Sequence, residues 1–262
     1  MNHRIVGVVG VVGMVAAGIG LNGCTGAAGG GQTDPLAAFQ LGMGEAFDAR
    51  IANVSRSIND VNSCLGVAAH TDQQTLDELK AIYRRIQSAG EDFEMFVERA
   101  ERELTQLDAE VVCQMVPVIT ADANRATGCF DPDHEVTRVL TDSENFEGLR
   151  VVYLANPMLA LDFAEFTTAS AEARQLVADQ ICTVELGQDQ EFDDLVARFV
   201  ASANRRAMCR NETPAATNQN AIPVLKSSYY SFAVENQTLI EFAREFVPNY
   251  EENTDTDPGF CG

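Results

Sequence analysis

The chain has 262 residues, 46% of them hydrophobic, and 39 acidic against 18 basic side chains give a formal net charge of −21. Such an excess repels phosphate backbones and anionic headgroups, which argues against nucleic acid and against an acidic lipid surface as partners. The length suffices for a sizeable core in one domain or two small ones.

A short polar start carrying Arg4 is followed by an uncharged stretch of Val, Ile, Met, Ala and Gly from Ile5 to Gly20. That run is too short and too rich in glycine for a membrane span and has the make-up of an export signal. It closes on Leu21-Asn22-Gly23-Cys24. This tetrapeptide resembles the lipobox of bacterial lipoproteins, with an aliphatic residue at minus three, a small residue at minus one and the acceptor cysteine. The resemblance covers about the first two dozen residues and implies cleavage after Gly23 and diacylglyceryl attachment to Cys24. Acylation of the new amino terminus with a fatty acid such as palmitate would make the anchor near-permanent. By the sorting habits of such proteins, Thr25 after the lipidated residue favours the outer membrane, on its periplasmic or surface face. An ordinary secretory signal with an incidental Cys24, or a retained N-terminal helix, is the alternative.

Residues 24–34, with four glycines after Cys24, lack apolar periodicity and read as a flexible tether. Asp34-Pro35 suits a helix start, and Phe47, Ile51, Val54, Ile58, Val61 and Leu65 then alternate steps of four and three, a heptad seam. Gly66 to Thr71 breaks the seam, and Thr71 with Gln74 forms a capping-box pair. The same spacing continues from Leu76 to Val111, with Gly90 as a weak position. A second helix over 73–115 is therefore expected, ending before Pro117, so that 35–116 forms a long antiparallel hairpin. Glu98 with Arg102 and Arg99 with Glu103 read as surface pairs.

Beyond Pro117 the pattern loosens. Gly128–His134 reads as a loop, Thr141 with Glu144 as a capped start, and 146–154 as either strand or helix. Gly187 turns the chain into a helix running to about Met208, Asn211–Asn220 is a polar loop, and Pro223 opens the last helix. No period-two alternation and no internal repeat are visible. The expectation is an all-α fold: a disulfide-stapled helical bundle with a long hairpin, forming one domain over 35–262 with its remaining helices in 117–262.

Apart from Cys24, six cysteines remain: Cys64, Cys113, Cys129, Cys182, Cys209 and Cys261. An even set in an exported chain predicts three disulfides. The loop after Pro117 favours Cys113 with Cys129. A helix between Cys182 and Cys209 separates them too far to bond, which leaves Cys64 to pair with Cys182, Cys209 or Cys261.

Motifs for chemistry are sparse. Asp131, Asp133, His134 and Glu135 crowd one loop, but Pro132 prevents the helical presentation of di-iron bundles. Asn253, Asp255 and Asp257 alternate as in a calcium loop, yet Pro258 follows and no closing Glu appears. His70 falls in the turn of the hairpin, and Glu191, Asp193 and Asp194 decorate the first turn of a helix. No phosphate loop, nucleophile elbow, zinc-protease or haem motif is present. No catalytic residue, metal ligand or cofactor is assigned. The expected role is non-enzymatic binding or structure in the cell envelope, with the membrane held through Cys24 and a cation or a protein as the remaining partner. The competing expectations are a metal-dependent or carboxylate-based hydrolase and a hairpin whose seam continues into another chain. The acidic, lysine-poor composition equally suits a solvated surface in a salty medium.

Overall fold

Apolar spacing by threes and fours resolves into helices wherever the chain can be followed. The computed structural model describes residues 34–86, 91–130, 139–157, 159–232 and 237–256. Among them are nine α-helices and no strand. They are α1 Glu45–Cys64, α2 Asp72–Ile86, α3 Phe93–Leu104, α4 Ala109–Phe130, α5 Asp142–Ala155, α6 Phe163–Thr183, α7 Gln190–Cys209, α8 Asn218–Phe232 and α9 Leu239–Thr256. The fold is an all-helical bundle stapled by disulfides. The signal, most of the tether, Cys24, Gly90, the 131–135 loop cluster, Asp257, Pro258 and Cys261 lie outside the described residues.

Several boundaries differ from the sequence expectation. Asp34 does cap, accepting from the Leu36 amide at 3.0 Å, but it opens only the 3-10 turn Pro35–Ala38. The second arm expected over 73–115 is not one helix. α2 ends at Ile86, Asp92 caps α3 by accepting from the Met95 amide, and Asp108 accepts from the amides of Glu110 and Val111 to start α4. Apolar spacing runs across both breaks; the capping acids mark them, and Gly90, the weak position of that spacing, precedes the first cap by two residues in sequence.

Pro117 does not end a helix; it lies within the 22 residues of α4. Val112, Val116, Ile119, Ala123 and Ala126 are all buried at helical spacing through it. That burial offsets the roughly 3 kcal/mol a proline costs inside a helix. A continuous α4 also overturns the favoured Cys113–Cys129 pairing. Sixteen residues along one helix put about 24 Å between them at 1.5 Å per residue, against a limit near 7 Å for a disulfide. Residues 146–154 are helical, in α5, and Pro223 lies inside α8, with a further helix after it. Arg99 and Glu103 do pair, at 3.3 Å, but Arg99 is buried.

The described residues form two compact units, each with its own core. One comprises residues as far as Thr120 together with Thr141–Ala171; Ile51, Val54, Phe96, Phe146, Phe163 and Phe166 are buried in it. The other takes Ala121–Leu140 and the chain from Glu172 onward, around Phe192, Val196, Leu225, Tyr229, Phe242 and Val247.

A repeat invisible in the sequence emerges from the hydrogen bonds. The helix triplets α1–α3, α4–α6 and α7–α9 carry the same framework. In the first helix of each, an asparagine amide clamps the backbone of the residue just before the second helix's cap. Asn59 donates to His70 O at 2.9 Å and accepts from His70 N at 2.6 Å. Asn124 does the same with Leu140, at 3.0 and 2.9 Å, and Asn204 with Ala216, at 3.0 Å both ways. The next residue is always a threonine in a reciprocal cap: Thr71 with Gln74, Thr141 with Glu144, Thr217 with Asn220.

Twelve residues after each threonine stands a tyrosine: Tyr83, Tyr153 and Tyr229. Their hydroxyls donate to the carbonyls of Glu91, Leu161 and Gln237 at 2.6, 3.0 and 2.6 Å. Burial pushes the Tyr153 hydroxyl up to about 12 and raises that of Tyr229 further, so both remain neutral donors. The residue after each of those carbonyls, Asp92, Asp162 or Thr238, then caps the third helix. Behind each cap come buried Phe93 and Phe96, Phe163 and Phe166, Leu239 and Phe242, packed against the module's tyrosine. The described residues contain three copies of one three-helix module.

Candidate functional site

Of the cysteines assigned from sequence, Cys64 is bonded to Cys113 and Cys129 to Cys182, with Cα–Cα distances of 6.1 and 5.1 Å. Cys209 is also disulfide-bonded. Cys64 thus takes none of the three partners expected for it, because the expected pairing had removed Cys113 from the candidates. Cys182 and Cys209 are not bonded to each other, as expected from the helix between them.

The first unit holds a cleft of about 300 Å³ lined by His70, Gln74, Glu78, Ile82, Arg85 and Glu147, among others. Its construction follows from the module framework. Asn59 fixes the backbone of His70, the Thr71 cap starts α2, and successive turns of α2 then present Gln74, Glu78, Ile82 and Arg85. α5 supplies Glu147 and Val151, one turn apart, as the opposite wall.

Between these walls lies a linear polar chain. His70 Nδ1 is 3.5 Å from Glu78 Oε2, while Glu78 Oε1 accepts from Arg150 Nε at 2.9 Å and Nη2 at 2.6 Å. The Arg150 side chain is 3% exposed, and its guanidinium lies 4.1 Å from the centroid of the Phe146 ring. One carboxylate oxygen of Glu78 is therefore saturated by a buried cation and the other faces an imidazole. With Oε1 taken by two guanidinium donors and Oε2 turned to His70, the cleft presents polar groups placed to hold a small polar ligand.

His70, expected as an exposed turn residue, is half-buried here. Glu78 and Arg150 were not singled out from sequence. The available signal was Arg150 itself: an arginine inside the apolar stretch 146–154 needs a buried acid. A second buried cluster forms around Arg99, which takes both oxygens of Glu91 at 3.0 Å and donates to Leu154 O at 3.0 Å. Burial works against its charge, and Glu91 and Glu103 outweigh it, so the guanidinium is held more basic than usual. Burial also lifts the Glu103 carboxyl above the ordinary range despite Arg99 beside it.

Glu191, Asp193 and Asp194 stand at the start of α7, as expected. Glu191 pairs with Arg244 at 2.8 Å, Asp193 accepts from the Gly187 amide, and Asp194 accepts from Gln190. Among the described residues no group of three or more His, Cys, Asp or Glu side chains converges to hold a metal, and no helix is long and apolar enough to cross a membrane. Comparison with protein-family models, curated proteins and solved structures finds no match for this chain.

Proposed function

We propose that this protein is an extracytoplasmic lipoprotein, anchored through Cys24, whose helical modules serve a non-enzymatic binding or structural role in the cell envelope. The observation that carries the reading is the state of its cysteines. Of the six beyond Cys24, the five that are described are all in disulfides. Such dense bridging belongs to the oxidising side of a membrane, where a lipobox-type signal would deliver the chain. Thr25 after Cys24 favours the outer membrane in a cell that has one. Acidic surplus makes a cation or a basic protein the natural partner.

Metabolic labelling of an expressing bacterial cell with a clickable palmitate analogue tests the anchor. The full chain is expected to carry the label and to partition into detergent, and Cys24→Ala to lose both properties. Labelling that persists in Cys24→Ala, or none in the wild type, overturns it.

A further inference from the structure

We propose that the cleft between α2 and α5 binds a free basic amino acid. Assigning it this ligand rests on the binding role proposed above and not on the Cys24 anchor. Two opposite charges face the cleft from its two walls, Arg85 from α2 and Glu147 from α5. Neither makes an ion pair or a side-chain hydrogen bond among the described residues. With 39 acids against 18 bases a guanidinium has carboxylates to spare around it, yet Arg85 takes none. A donor and an acceptor of full charge, lining one cleft without closing on each other, are the complement of a carboxylate and an ammonium carried by one small molecule.

Glu78 supplies a third point. Buried Arg150 pins its Oε1, while Oε2 accepts no hydrogen bond among the described residues. His70 Nδ1 stands 3.5 Å from Oε2 and is itself without a hydrogen-bond partner. Glu78 precedes Arg85 by seven residues on α2, about 10 Å at 1.5 Å per residue. An extended arginine side chain spans about 7 Å from its α-carbon, and the inward reach of Arg85 and Glu78 covers the difference. The ligand's carboxylate then meets Arg85 through two parallel hydrogen bonds, its α-ammonium meets Glu147, and its side-chain cation meets Glu78 Oε2. Its methylenes lie along Ile82 and Val151, which line the same cleft. A volume of about 300 Å³ is at the lower end for small-molecule sites and suits one amino acid better than a peptide. The ligand is a net cation, so the charge of −21 on the chain favours its approach.

Calorimetric titration of the full chain in detergent tests the site with L-arginine as the probe. Saturable binding of one L-arginine per chain is expected at millimolar concentration or below. Agmatine lacks the carboxylate and L-leucine lacks the side-chain cation, so each should bind about tenfold more weakly or worse for the loss of one charge-assisted pair. Arg85→Met and Glu147→Gln should weaken L-arginine binding by a similar factor. Both positions are exposed, so the urea midpoint should stay at the wild-type value. Glu212→Gln, an exposed acid in the other unit, removes the same charge and should leave binding unchanged. Absence of saturable L-arginine binding, equal affinity for agmatine or L-leucine, or indifference to Arg85→Met and Glu147→Gln overturns the assignment. Palmitate labelling of the same preparation reports the anchor separately: a labelled chain that ignores L-arginine defeats the ligand alone, and an unlabelled chain that binds it defeats the anchor alone.

Discussion

Ninth after each module's threonine stands a cation: Lys80, Arg150 and Lys226. Equivalent position does not mean equivalent energetics. Arg150 is buried and engages Glu78 through two donors. Lys226 is also buried, and that burial depresses its ammonium, with the charge of Glu185 opposing among the described residues. The same replacement should therefore act in opposite directions. Arg150→Met leaves Glu78 charged and stripped of its buried partner, and losing one member of such a pair costs about 3 kcal/mol where the other is nearly enclosed. Lys226→Met removes a desolvated charge that makes no ion pair with a carboxylate among the described residues and keeps the apolar stem, so stability should rise by about 1 kcal/mol. Urea unfolding of both variants checks this. Equal signs for the two would mean that burial alone, not pairing, sets the energetics of this position.

Module equivalence also isolates the cost of Pro117 within α4. Seven residues before each clamping asparagine the first helices carry Ala52, Pro117 and Ala197. Pro117 is exposed, so replacing it removes no core contact. Alanine restores a missing amide at a position where both sister helices already have it, and the intrinsic difference between the two residues inside a helix is about 3 kcal/mol. Pro117→Ala should stabilise the protein, by about 1–2 kcal/mol once local adjustment around the native proline is allowed for, as measured by a higher urea midpoint at unchanged slope. An unchanged or lowered midpoint would show that the proline's bend is needed for packing of the buried stripe from Val112 to Ala126. The same helix explains a failure of sequence reading. A proline is a strong local stop signal, but five buried apolar positions outweigh one lost hydrogen bond, and only the tertiary structure reveals that those positions are buried.

At the scale of the whole chain, helical class and several caps were legible because period and capping chemistry are local: the Thr71 and Thr141 caps and the Phe47–Val61 seam stand where the spacing placed them. The modules were not legible, since the residues that define them are polar and scattered, and the distance from clamping asparagine to capping threonine varies from 12 to 17 to 13 residues. An aligned period is destroyed by such loops even though every hydrogen bond of the framework survives. Polar anchors thus preserve the architecture while apolar positions drift, as in Ile58, Ala123 and Ala203, all one residue before the asparagine. If the two compact units are also units of stability, each staple should act locally. Cys129 and Cys182 both belong to the second unit, and their bond closes 53 residues of chain. By loop-closure entropy its removal costs about 4 kcal/mol. Native-state hydrogen exchange of the Cys129→Ser, Cys182→Ser double variant should therefore accelerate in 121–130 and 172–256 and leave α1 to α3 near wild-type protection. The Cys64→Ser, Cys113→Ser variant should reverse the pattern. Uniform acceleration in both variants would instead make the chain one cooperative unit, with its repeats a matter of architecture and not of energetics.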